Sequence, residues 1–447
     1  MDLKGKKVLV VGLARTGIAT AKFLKTKGSL VTATEVKPKE EMEEALQELK
    51  GMDIKAEWGG HRTETFLKQD LIVVSPGVDL SIEPIQRAIK HGMRVISEIE
   101  LASHFIHIPI IAVTGTNGKT TTTLLIGEML KEDGKKAGVG GNVGEPLILF
   151  ADGEDRWEVL VVEISSFQLE AIEDFRPRIS VLLNITEDHL DRYPTYDNYI
   201  KAKVRIFANQ NSGDLAVLNR DDPVVMQHEE EVKAKKVFFS LKEKLEEGAF
   251  SNGQTISFRL GRREEEYSLA KAPLKGIHNV ENMTAALTAA RIFGCSKKAI
   301  QDTLNRFEGL EHRLEFVREI RGIRFYNDSK GTNVGSVVKS LQSFSEPVIL
   351  IAGGKDKNGD LDPLEELIQK RVKHLILIGE AKERMNRELG GLTDTTMAKT
   401  MEEAVLLAHQ KAKGGEVVLL SPACSSFDMF RDYKERGKVF KEAVRRL

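Results

Sequence analysis

Cysteine is scarce in this chain: two residues, Cys295 and Cys424, among 447. That count excludes a disulfide framework and offers no zinc-ligand spacing, and it suits a reducing compartment. Charge of one sign is also lacking, because 66 basic and 67 acidic residues leave a formal net charge of −1. No broad field exists to gather nucleic acid or coat an anionic membrane, so any anionic ligand must be held by local groups. Long hydrophobic runs are missing too; none approaches the roughly 18 residues that begin to span a bilayer. The opening segment Met1-Asp2-Leu3-Lys4-Gly5-Lys6-Lys7 has no apolar signal region. These absences lead us to expect a cytoplasmic protein with no nucleic-acid partner and no membrane insertion. Nothing in the sequence calls for more than a monomer.

What is present is an ordinary globular composition, 41% hydrophobic and 30% charged. At roughly 100–200 residues per domain, the length predicts three domains. Short apolar runs alternate with helical patterns, the signature of parallel sheets with helical crossovers. Strands are predicted over 7–11, 30–33, 71–74 and 95–97, then 109–113, 159–163, 179–183 and 215–218, then 348–352, 375–378 and 417–420. An antiparallel appendage is expected over 235–269, and helices over 274–293 and 401–413. The predicted fold is α/β with three domains. Residues 1–98 form a Rossmann-like unit, 99–308 a central P-loop-type mononucleotide-binding sheet, and 309–447 a second Rossmann-like unit.

The firmest local signal is Val113-Thr114-Gly115-Thr116-Asn117-Gly118-Lys119-Thr120-Thr121, between a predicted strand and helix. The glycines allow backbone N–H groups to approach phosphate, and the helix start turns its positive end to the same place. Lys119 supplies a cation for terminal phosphates, and the Thr120 hydroxyl suits Mg²⁺. Only Thr116 and Asn117 separate the glycines, where a P-loop has four residues, and Val113 stands where the earlier glycine would fall. The bland alternative is a glycine turn before an ordinary helix. A second loop, Gly12-Leu13-Ala14-Arg15-Thr16-Gly17, nearly matches the dinucleotide fingerprint, with Glu35 placed as a ribose-binding acid. Read alone, it stands for a nucleotide or pyrophosphate site, or for a tight turn in a doubly wound domain.

Two strand ends carry acids. Glu163 closes one strand, placed to hold Mg²⁺ or to cap the next helix. Glu187, Asp188, His189 and Asp191 follow another, and hard cations take oxygen ligands with His able to join them. Lys203, in the helical stretch 199–207, reads on its own as a solvated surface lysine.

Together these residues resemble the Mur ligase family, the ATP-dependent amide-forming enzymes of peptidoglycan precursor synthesis. The resemblance covers essentially the whole chain and rests on 114–121, Glu163, 187–192, Gly276-Ile277-His278-Asn279-Val280-Glu281-Asn282 and His312-Arg313. Similar to the D-glutamate-adding branch are the 12–17 loop with Ser75-Pro76-Gly77, the 327–333 segment and Ser421-Pro422-Ala423-Cys424-Ser425-Ser426-Phe427-Asp428. The resemblance implies domains for a UDP-sugar substrate, for ATP and for an amino acid. It also implies that ATP phosphorylates the carboxylate of UDP-N-acetylmuramoyl-L-alanine and that the amine of D-glutamate then displaces phosphate. By similarity, Gly115 to Thr121 hold ATP. Asn279, Asn282, Arg313 and Asp328 touch its adenosine and phosphates. Two Mg²⁺ sites are implied, drawing on Thr120, Glu163, His189 and a carbamylated Lys203. Asn142 resembles a substrate and catalytic contact. Arg15, Thr16, Glu35, Ser75, Pro76 and Gly77 fall at the UDP-substrate site, and Thr332, Lys355, Ser426 and Phe427 at the D-glutamate pocket. Lys119, Asn142, His189, Lys203 and Arg313 are the implied catalytic set. One departure stands out: Thr34-Glu35-Val36-Lys37 replaces an Asp-Thr-Arg pattern. The rival readings are a relative using another amino acid or folate, an NAD-dependent dehydrogenase built on the Gly12 loop, and an NTPase switch.

Overall fold

Apolar runs of four to six residues form the centres of three sheets, each bounded by glycine turns and covered by amphipathic helices. The computed structural model describes residues 1–153, 156–190, 192–309, 311–356 and 359–447. The first sheet has five parallel strands in the order Lys55–Trp58, Leu30–Glu35, Lys7–Val11, Leu71–Val74 and Val95–Ser97. The order reverses between Lys7–Val11 and Leu71–Val74. A crevice opens at such a switch point beyond the strands' carboxyl ends, and it sets the 12–17 and 75–77 loops side by side.

The central sheet has nine strands. Ile110–Thr114 lies between Ile179–Leu182 and Val159–Glu163, all parallel. The loop after each therefore rises at one edge. The expected antiparallel appendage is only partly so. Lys235–Ser240 continues the parallel sheet beside Leu215–Asn219, and Gly248–Ser251 runs parallel to it. Thr255–Leu260 and Arg263–Ser268 alone are added antiparallel. The third sheet has six strands, with a hairpin of Glu315–Ile320 and Ile323–Asn327 at one side. Ile323–Asn327, Val417–Leu420 and Val348–Gly353 are parallel neighbours.

Several of these strands go beyond the sequence expectation. Ala137–Gly141 pairs with Val159–Glu163 although three of its five residues are glycine. A β-carbon at Gly138 or Gly140 would meet the Phe150 ring at 2.9 or 2.5 Å, so the missing side chains make room for an aromatic. The 315–327 hairpin turns on Arg321 and Gly322, both at positive φ (51° and 80°), as a tight two-residue turn requires. Burial is two-sided in each unit, and one apolar cluster runs from Leu3 through Phe175 to Ala234, joining the first two sheets.

Candidate active site

In the N-terminal crevice the glycine loop is closely fitted. A β-carbon on Gly17 would lie 1.8 Å from the Gly12 carbonyl oxygen, so only glycine allows this helix start. Ser75 Oγ donates to the Gly12 carbonyl at 2.9 Å, tying the two loops together. Glu35 is buried, and its carboxylate accepts the backbone amides of Leu13 at 2.7 Å and Lys37 at 3.1 Å. Its evident work is to hold the loop's shape; Lys37 itself is exposed. Thr16 lies in the first turn of helix Arg15–Thr26. Arg15 leaves the crevice: its Nη1 donates to the Gly144 carbonyl at 2.8 Å, and it pairs with Glu145. That contact reaches the loop carrying Asn142. Pro76 and Gly77 form the opposite lip, with Gly77 exposed.

The central loop follows from sheet position. Val113, where a longer motif would have glycine, is wholly buried strand paired to Glu163 and Val181. Gly118 caps helix Lys119–Glu132 at φ 86°, and a β-carbon there would lie 2.2 Å from Asn282 Oδ1. Asn117 is held by Asn184, whose Oδ1 accepts the Asn117 amide at 2.8 Å. Lys119 folds back over the loop, donating to the carbonyls of Gly115 at 2.7 Å and Thr116 at 2.8 Å. Burial lowers its pKa, against the opposing pull of Glu163 and Asp188.

Beside this loop stands a buried carboxylate. Glu163 is 2% exposed; Oε1 accepts Asn142 Nδ2 at 2.6 Å, while Oε2 is buried with no hydrogen-bond partner among the described residues. A lone buried carboxylate oxygen is costly unless something charged meets it. His189 sits at φ 58° with its ring edge-on to Phe167, centroids 4.8 Å apart. Its Nε2 lies 3.8 Å from Asp188 Oδ2. Glu187 is exposed, and Asp191 lies outside the described residues.

Lys203 overturns the expectation of a solvated surface lysine. It is 1% exposed, because its face of helix Tyr196–Val204 turns toward the phosphate loop. Its Nζ lies 4.6 Å from the Tyr199 ring centroid and donates to the Gly115 carbonyl at 2.8 Å, the same oxygen that Lys119 uses. Burial, and then the neighbouring Lys119 ammonium, push the Lys203 amine well below the usual lysine range.

The third sheet closes over this edge. Arg313 Nη2 donates to Thr120 Oγ1 at 3.4 Å. Ser336 Oγ and Asn333 Nδ2 donate to Asn117 Oδ1 at 2.8 and 3.3 Å, and Lys339 pairs with Glu281 at 2.6 Å. Between them lies a cleft lined by Asn117, Thr121, Asn279, Asn282, Arg313 and Asp328, among others. Asp328 accepts Ser340 Oγ and Ser421 Oγ, each at 2.7 Å, and burial raises its carboxyl to about 6. Burial holds the neighbouring His278 near 3, hence neutral.

Thr332, Lys355 and Ser426 follow three adjacent parallel strands and so reach one rim. Ser426 is buried, Lys355 exposed, and Phe427 68% exposed. Tyr433 packs its ring edge-on against His312, centroids 6.0 Å apart, and burial raises its hydroxyl. Lys330 Nζ lies 4.0 Å from its ring centroid. Sequence reasoning missed both, and also Arg436, a fully buried arginine. It donates to Ser329 Oγ and to the carbonyls of Ser329, Cys424 and Ser425, clamping the 328–332 loop to the 421–426 loop. A lysine or arginine late in the chain carries no local mark of such a role.

Comparison with known proteins agrees along the full length. Residues 6–97 match the Mur ligase MurD-like N-terminal domain, 113–290 the Mur ligase middle domain, and 312–424 the Mur ligase glutamate ligase domain. The chain is 55% identical to a UDP-N-acetylmuramoylalanine–D-glutamate ligase of Geotalea daltonii, covering 100% of this chain and 99% of that one. Identity to the protein of the same name from Geobacter metallireducens is 52%, with equal coverage. Among solved structures, MurF from Acinetobacter baumannii superposes with a TM-score of 0.64 at 17% identity, covering 98% of this chain and 91% of that one. The alanine ligase MurC from Thermotoga maritima gives 0.61 at 19% identity, covering 99% of each. These two likenesses speak to the fold. The chain belongs to the Mur ligase family.

Proposed function

We propose that this protein joins D-glutamate to UDP-N-acetylmuramoyl-L-alanine at the cost of ATP, through an acyl phosphate, as a cytoplasmic monomer in peptidoglycan precursor synthesis. The observation that carries this reading is the convergence of Lys119, Thr120, Glu163, Lys203 and Arg313 on one sheet edge, in a chain 55% identical over its length to a ligase of that name. The domain roles are UDP-substrate binding for 1–98, ATP binding for 99–308 and amino-acid binding for 309–447.

In the first step an oxygen of the substrate carboxylate attacks the γ-phosphorus of ATP, and the bond to the bridging oxygen breaks, releasing ADP. Transfer of this kind is driven by positioning and charge neutralisation. Lys119 and the loop amides steady the β- and γ-phosphates, and Arg313 meets charge that grows on the moving phosphoryl group. Asn279, Asn282 and Asp328 hold the nucleoside in the cleft between the second and third sheets. In the second step the D-glutamate amine attacks the acyl carbon and phosphate leaves; Thr332, Lys355 and Ser426 orient the amino acid. Asn142, hydrogen-bonded to Glu163, orients the carboxylate as it arrives.

The donor set fits Mg²⁺. Glu163 has a buried oxygen in need of a cation, and Thr120 and His189 stand at the same edge. When bound, Mg²⁺ supplies positive charge against the phosphate oxygens. Lys203 joins this set as a carbamate. A neutral amine adds CO₂, forming an N–C bond and releasing one proton, and the depressed Lys203 amine is suited to that. Two cation sites follow, one toward Thr120 and one toward Glu163, His189 and Lys203.

The direct test is phosphate release with ATP and Mg²⁺, with each of the other two substrates supplied or withheld. Release that requires both supports the ligase. Release indifferent to both would point to an NTPase and defeat the proposal.

A further inference from the structure

Arg15 and Arg192 each reach from one unit to the other beside the UDP-substrate crevice, and they differ in burial. The Arg15–Glu145 pair is exposed, at 60% and 52%, and such pairs contribute little. Arg192 is enclosed: its side chain is 14% exposed and that of its partner Glu170 is 17%. Its fork is shared between units. Nη1 donates to the Pro76 carbonyl at 3.3 Å, while Nη2 donates to the Val78 carbonyl at 2.8 Å and to Glu170 Oε2 at 3.0 Å. The guanidinium carbon lies 4.1 Å from the centroid of the Phe167 ring, and that ring meets His189 edge-on. The Arg192 amide also donates to the His189 carbonyl at 3.0 Å, closing the turn in which His189 keeps its positive φ. One planar cation thus touches the Ser75-Pro76-Gly77 lip and, through Phe167 and its own backbone, fixes the strand-end histidine. A planar fork can grip two carbonyls and stack on a ring at once; an ammonium cannot.

We propose that Arg192 is a positioning residue that sets the UDP-substrate lip in register with the phosphate edge, so that the bound carboxylate arrives where the γ-phosphate lies. It touches neither reacting atom. The proposal rests on the ligase reading for its kinetic consequence, but the clasp itself can be tested without turnover.

The experiment compares the full-length wild type with Arg192→Lys and Arg192→Ala. Initial rates are measured while UDP-N-acetylmuramoyl-L-alanine and ATP are varied separately, and amide hydrogen exchange is followed over residues 75–80 without ligands. Arg192→Ala is expected to raise KM for the UDP-substrate at least tenfold and to lower kcat several-fold, with KM for ATP moving less than twofold. Arg192→Lys, keeping charge but losing the fork, is expected to fall between. Exchange over 75–80 is expected to speed up in both variants while the central sheet stays protected. Equal changes in both KM values, or unchanged exchange over 75–80, would overturn the proposal. If the wild type turns over without the UDP-substrate, the ligase reading falls, and the exchange result still decides whether Arg192 holds the lip.

Discussion

On the proposed function, the phosphate edge of the central sheet and the amino-acid rim of the C-terminal sheet are built on opposite plans. At the phosphate edge the polar groups are bonded to one another before any ligand enters, around the buried Glu163 and Lys203: Lys119 and Lys203 share the Gly115 carbonyl, Asn142 meets Glu163, and Asn184 braces Asn117. At the rim, Lys355 and Phe427 face solvent, while the rigidity lies beneath them in Arg436 and its carbonyl partners. The difference teaches where precision is needed. Charge that develops during phosphoryl transfer is met by groups already in place, whereas an amino acid can be gathered by side chains that order around it.

The largest expected effect tests the first half of this contrast. Lys119→Ala should lower kcat by about 10²–10³-fold, the usual scale for removing one preorganised electrostatic contact, as read by steady-state phosphate release. Lys203→Ala should cost about 10²-fold on the same scale, and added bicarbonate or short carboxylic acids should restore part of it. Full activity without additives would remove the carbamate.

Buried polar groups away from both regions should govern stability instead of rate. Glu98 is buried where the first two units join; its Oε1 accepts the Ile148 amide at 2.6 Å, and its Oε2 has no hydrogen-bond partner among the described residues. Burial raises its carboxyl from 4.5 to about 7. The folded protein therefore favours the protonated form; that contribution is complete below pH 4.5 and is lost as pH rises through about 7. Glu98→Gln should add on the order of 2–3 kcal/mol at pH 8 and almost nothing at pH 4, as measured by denaturant unfolding at the two pH values, with kcat unchanged. At the rim the effects should be milder. Lys355→Ala should raise KM for D-glutamate about tenfold, the cost of one charge-assisted contact, with KM for ATP unmoved. Phe427→Ala should change either constant less than about twofold, since an exposed ring has little packing to lose. A large effect there would mean that the rim closes around the amino acid and that the contrast between the two regions is too sharply drawn.

Legibility followed the same division. Strands of the central sheet were readable because a buried parallel strand is a continuous apolar run, and 159–163 agrees residue for residue. Ala137–Gly141 was not, because glycine there serves Phe150's packing instead of strand propensity. Glu315–Ile320 was not, because it is a half-exposed edge strand whose turn carries Arg321 where Asn or Asp is the usual mark. Among site residues, Lys119 and Glu163 stand in motifs with local meaning. Lys203, Tyr433, Arg436 and Arg192 do not, since a helix or loop residue announces nothing about the surface it faces.

By itself the sequence determined the three-unit α/β plan and the phosphate loop, because apolar periodicity and glycine spacing are local properties of a chain; the family came from its resemblance in several motifs along the chain. Only the tertiary structure decided that Lys203 is buried against the loop, that Glu163 keeps a buried oxygen with no hydrogen-bond partner among the described residues, and that Glu35 braces a backbone turn. Those outcomes depend on which surfaces meet, and burial and electrostatic fields arise only once distant segments are packed together.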